Sequence, residues 1–229
     1  MTQLRTQAFG LLLCRAAIAG LGAIAPVAVA QANERVVVIE VWADNWFEVF
    51  VNGELVLTDP VPITTERSFN AESLTLSIDV PAQVSIKARD FTENDTGLEY
   101  IGTPRQQMGD GGLIAQVTDA ASGDVLAATD ANTRCFVVHR APLDPACATE
   151  RAPIAGEGSC TFSELAEPEG WASLDFEDEG WPSAITYSED EVSPRRGYRD
   201  IVWTEPAALI WSDSLLLDNA LLCRLPRIE

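Results

Sequence analysis

The chain has 229 residues, with 15 Lys and Arg against 35 Asp and Glu, for a formal charge of −20. A field of that sign argues against nucleic acid and anionic bilayers as partners, because binding them works by neutralising phosphate with basic side chains. Solubility is the plain reading of the acidity, ahead of any dedicated cation store.

The N-terminus reads as an address. Arg5 supplies a small positive region, an apolar run from Phe9 to Val29 follows with Arg15 inside it, and Ala28-Val29-Ala30 fits a small-x-small cleavage site before Gln31. Residues 1–30 are therefore expected to be a Sec-type signal peptide cut after Ala30, leaving a periplasmic or secreted chain. Arg15 and Pro26 interrupt the length a spanning helix needs, and Cys14 lacks the small residues that precede a lipidated cysteine. No membrane insertion of the mature chain is expected. Losing Arg5 and Arg15 takes its charge to about −22.

Residues 31–229 suffice for one large sandwich or two small domains, and a single domain is expected. In chain order, residues 35–57 open the sheet. Val37, Ile39 and Val41 share one face of a strand, and Phe47, Val49 and Val51 one face of the next. Asn52-Gly53 then suits a type I′ hairpin turn. Leu74, Leu76, Ile78 and Val80 alternate with polar residues, as do Val84, Ile86 and Ala88. With Pro81-Ala82-Gln83 between them, these two runs read as an antiparallel pair. Strands follow at 113–118, 125–128 and 135–139, with a turn at Ser122-Gly123-Asp124. Residues near 140–160, rich in Ala, Pro and Gly, read as a long loop. Residues 171–187 carry aromatic anchors, 188–200 read as polar and exposed, and 209–211 and 220–225 as the last strands. No helix-period segment of useful length lies outside the signal.

Removing Cys14 leaves Cys135, Cys147, Cys160 and Cys223, an even count that reads as disulfides in an exported chain. Of the three pairings, Cys135–Cys147 and Cys160–Cys223 is the one expected, the first closing a short Pro-rich loop. No CxxC or Cys/His cluster supports zinc.

Three stretches, taken together, resemble known modules: ADNWFEVFVNGELV from Ala43, GLIAQVTDAASGDVLAATD from Gly112 and GWASLDFEDEGWPSA from Gly170. In order and spacing they are similar to the galactose-binding-like, jelly-roll β-sandwich domains beside or within bacterial glycoside hydrolases such as the α-L-rhamnosidases. The chain departs from that pattern at Asn45, where a second aspartate is usual, and at residues 132–135, where a tryptophan is usual. The resemblance implies an all-β antiparallel sandwich acting as a non-catalytic, carbohydrate-binding or accessory module, with carbohydrate or another exported protein as partner. A cell-envelope interaction domain without a sugar site is the alternative.

Asp44, Asn45, Trp46, Asp178 and Trp181 are the candidate ligand residues, since a tryptophan face suits sugar C–H groups and polar neighbours suit the hydroxyls. Trp42, Trp171 and Trp211 sit in apolar runs and read as core. Asp213, Asp218 and Asn219 are candidate ligands for a structural Ca²⁺, which takes hard oxygen donors from loops and is common in the fold class that the resemblance implies. A chain this acidic also places carboxylates in every loop without any ion. Catalysis is not expected: there is no GxSxG elbow, only one histidine, His139, and the acids at 175–179 read as surface groups.

Overall fold

The computed structural model describes residues 33–229, so the signal-peptide and cleavage readings and Cys14 lie outside the described residues. Fourteen strands are present among them: β1 (Asn33–Asp44), β2 (Trp46–Val51), β3 (Glu54–Thr58), β4 (Asn70–Val80), β5 (Val84–Arg89), β6 (Leu98–Glu99), β7 (Gln107–Met108), β8 (Gly112–Asp119), β9 (Val125–Ala128), β10 (Arg134–Arg140), β11 (Ser163–Glu164), β12 (Ile185–Tyr187), β13 (Leu209–Trp211) and β14 (Asp218–Arg224). One six-stranded sheet runs β12-β13-β8-β1-β4, with β9 also paired to β8. The other runs β11-β10-β14-β5-β2-β3, and every pairing is antiparallel.

Alternation explains how the layers meet. Val37, Ile39 and Val41 of β1 and Val49, Ile86 and Leu221 of the other sheet are fully buried in one shared core. Burying each such side chain contributes about 1.5–3 kcal/mol, which ties the two sheets into an all-β sandwich. Asn52 and Gly53, at φ 51° and 88°, make the expected tight turn between β2 and β3.

The expected pairing of residues 74–80 with 84–88 is corrected. β4 pairs with β1 (Ile39 opposite Leu74), whereas β5 pairs with β2 and β14 (Val49 opposite Ile86). Both runs face the same core from opposite layers, so each shows the alternation of a half-buried strand without being the other's neighbour. The linking segment crosses between sheets, and Ala82 bridges to Ile228 instead.

The expected disulfide pairing is also corrected. All four cysteines are bonded, but as Cys135–Cys223 and Cys147–Cys160. Cys135 and Cys223 are register partners on adjacent strands β10 and β14, with Cα atoms 4.1 Å apart. Cys147 and Cys160 close the long loop, which contains a 3₁₀ turn (Pro145–Thr149). Two such bonds fit an oxidising compartment.

Each sheet carries an apolar cover on part of its outer face. On the β14 sheet, Trp171 and Trp181 pack on Phe50, Phe136 and Leu222. Arg224 stands among them, 3 % exposed, with all five N–H groups engaged. Nε donates to Asp178 Oδ2 at 2.7 Å, Nη1 to the Trp171 and Ser173 carbonyls, and Nη2 to the Phe176 carbonyl and Gln83 Oε1. On the β1 sheet, residues 188–200 are not the wholly exposed stretch expected. They form a one-turn helix, α1 (Glu189–Val192), with a capping box at Ser188, and a 3₁₀ turn (Tyr198–Asp200). Val192 and Tyr198 are buried against Trp42, an apolar anchoring that a mostly charged run conceals. Among the described residues no helix is long and apolar enough to cross a membrane.

Candidate functional site

The site forms at one end of the sandwich, where three strong strands stop or start on acids. Asp44 ends β1 opposite Gly112, Asp90 follows β5, and Asp110 lies two residues before β8. Glu99 joins them from β6, paired with Gln107 of β7. Asn45, fully enclosed, braces the arrangement: its N–H donates to the Arg89 carbonyl, its Oδ1 accepts from the Phe91 N–H, and its Nδ2 donates to the Glu66 carbonyl. Gly109, Gly111 and Gly112, on either side of Asp110, let backbone pass where no side chain fits. A Cβ on Gly109 would lie 1.7 Å from Asp90 Oδ2, and one on Gly111 would lie 2.4 Å from the Trp211 ring.

Carboxylate oxygens of Asp44, Asp90 and Asp110 lie within 4.8 Å of one another. Asp44, Asp90 and Glu99 are each at most 3 % exposed, while Asp110 reaches solvent. Burial, then the charges of Asp110, Asp90 and Glu99, push the Asp44 carboxyl well up. Burial and the Asp110 and Glu99 charges do the same to Asp90. The Phe91 and Asp110 amides oppose this by proximity, yet neither makes a well-formed hydrogen bond to it. Glu99 is pushed up to about 7, chiefly by burial and against a hydrogen bond from Gln107 Nε2. Asp110 is raised by partial desolvation, opposed by Arg195. Without a cation, burial and mutual repulsion favour the protonated forms of these acids; with a cation among them they become oxygen donors.

Above the acids opens a cleft of about 560 Å³, walled by Glu66, Glu99, Tyr100 and Asp110 and carrying Arg67, Arg105, Arg195 and Arg196. Outside residues 1–30 the chain has thirteen basic residues, so nearly a third of them gather here. Tyr100, held at φ 52°, donates its hydroxyl to Glu66 Oε1 at 2.5 Å, and the Arg105 guanidinium lies 3.8 Å from its ring centroid. Glu66, Tyr100 and Arg105 are thus held to one another in the cleft wall.

The five candidate ligand residues are not brought together. Asp44 and Asn45 belong to the acid-bearing end, and half-buried Trp46 pairs with Arg89 beside them. Asp178 and Trp181 sit by Arg224, which pairs with Ser85, so about 13 Å of β5 separates the two groups. Trp181 is 8 % exposed, lying tilted against Phe136 and edge-on to Phe176, and Asp178 neutralises Arg224. Asp213 and Asp218 both face Arg140, at 3.4 and 3.5 Å, and Asn219 turns its Nδ2 to the Ala141 and Leu217 carbonyls. A guanidinium thus stands against two of the three candidate calcium ligands. His139 packs on Phe162, and burial pulls its pKa down.

Sequence reasoning missed Asp90, Glu99, Asp110 and the arginines of the cleft. One signal was available: Asp44 and Asp90 each follow directly on an apolar alternating run, where an acid ends up at the rim of a core rather than in a solvated loop. No protein-family model, curated protein or solved structure matches this chain.

Proposed function

We propose that this protein is an exported, non-catalytic carbohydrate-binding module on a galactose-binding-like, jelly-roll sandwich, and that the arginine-bearing cleft is its binding site. The observation that carries this is the cleft's mixed furnishing. Sugar hydroxyls both donate and accept, and the cleft sets guanidinium donors beside carboxylate acceptors, with the Tyr100 and Phe69 rings among them. The support is rigid, since the walls are tied to strand ends by Asn45 and by the Tyr100–Glu66 bond. Two intrachain disulfides are consistent with an extracellular setting.

The test is retention on a glycan array and on insoluble polysaccharides. Retention lost in Arg105→Ala and kept in Trp181→Ala supports the cleft; retention lost only in Trp181→Ala moves the site to the other end. No retention at all favours the protein-interaction alternative. A hydrolytic reading draws on Glu99, held near neutrality in the cleft wall as a general acid requires. Aryl-glycoside turnover abolished by Glu99→Gln would replace the lectin reading with it.

A further inference from the structure

We propose that Asp44, Asp90 and Asp110 bind a calcium ion at the end of the sandwich. The donor oxygens of the three aspartates lie within 4.8 Å of one another, a span bridged by an ion whose ligands sit about 2.3–2.6 Å away. A second, independent observation points to the ion. Both oxygens of Asp90 and Oδ1 of Asp44 are buried with no well-formed hydrogen bond from any described residue. Buried polar atoms in folded proteins are almost always paired, and an unpaired carboxylate is among the most costly groups to enclose.

Among the described residues no side-chain cation fills the role. Arg195 opposes the raised pKa of Asp44 and Asp110 through space but forms no ion pair with either. By contrast Asp218, whose oxygens also lack hydrogen bonds, has Arg140 at 3.5 Å. The donor set selects the metal. Several direct carboxylates in an irregular array suit calcium, whereas magnesium keeps most of its water and zinc prefers nitrogen and sulfur. Gly109 is part of the device, since only a residue without Cβ leaves room for Asp90 Oδ2. The proposal does not depend on what the cleft above takes.

The experiment uses the disulfide-bonded protein, stripped with EDTA, dialysed and titrated with calcium chloride by calorimetry, with Tm recorded in parallel. One saturable site and a Tm that climbs with calcium are expected, because an ion held only by the native state stabilises it. Asp90→Asn keeps the shape and removes a charge. It should weaken binding at least about tenfold, while Asp213→Asn leaves it unchanged. Should Asp90→Asn misfold, Asp110→Asn at the solvent edge gives the same reading. Neither heat nor a Tm shift up to about 10 mM calcium, well above the range of extracellular sites, overturns the proposal. So does a response lost in Asp213→Asn and kept in both Asp90→Asn and Asp110→Asn.

Discussion

Replacing Arg224 with Met tests how the aromatic cover of the β14 sheet is held. The guanidinium spends all five donors on five acceptors, three of them carbonyls of residues 171, 173 and 176, and one the Asp178 carboxylate. Methionine fills much of the volume but donates nothing, so three carbonyls, one amide oxygen and one carboxylate lose their partner together. Hydrogen bonds to charged groups run at about 1.5–3 kcal/mol each, but they are not additive here because the freed groups can rehydrate. Breaking a buried ion pair from one side costs about 3–5 kcal/mol, and because the Asp178 side chain is 27 % exposed and can rehydrate, the low end, about 3 kcal/mol, is the expected loss. Arg224→Lys keeps the charge but offers at most three donors without the planar fork, and should recover less than half of the loss. Urea unfolding of the oxidised protein measures both, and near-ultraviolet circular dichroism follows Trp171 and Trp181. Because the neighbouring Cys223 stays bonded to Cys135, the damage should appear first as proteolytic cutting within residues 163–184. A loss under about 1 kcal/mol, with the segment still protected, would refute this account of the cover.

In chelator, the metal-free protein should lose stability as pH rises from about 4.5 to about 7. Glu99 keeps its proton in the folded state up to about 7 against an ordinary 4.5, so its contribution is full below 4.5 and gone above 7, an upper bound of about 3 kcal/mol. Asp44 and Asp90 act in the same direction; a flat urea midpoint across that range would contradict the burial of these acids. Gly97→Ala should cost at least about 2 kcal/mol, since φ is 72° there and a Cβ would lie 1.9 Å from the Ala141 carbonyl oxygen. A variant as stable as the parent in thermal melts would show that this loop does not lie against Ala141.

The strands were legible because one face is buried. Val37, Ile39 and Val41, or Val84, Ile86 and Ala88, carry their period in the sequence whatever they pair with. Partnership was not legible, because alternation reports a core and not a neighbour; this separated β4 from β5. The same limit hid the disulfides, since Cys135 meets Cys223 only through the register of two strands 88 residues apart. The acid cluster draws on positions 44, 90, 99 and 110, and no local spacing links them. The placement of Asp178 and Trp181 was not legible either, because an acid and an aromatic have the same letters in an open loop as they do packed against a buried arginine.

The order of strands also sets a timetable. β14 arrives last among the described strands, yet it lies between β5 and β10 in the interior of its sheet. Until residue 224 has emerged, those two neighbours present open, hydrogen-bond-hungry borders that invite wrong partners, including other copies of the same chain. A shortened product ending before β14 would therefore be a template for clumping rather than a smaller working domain. The late Cys135–Cys223 bond then acts as a latch that can close only on a completed sheet.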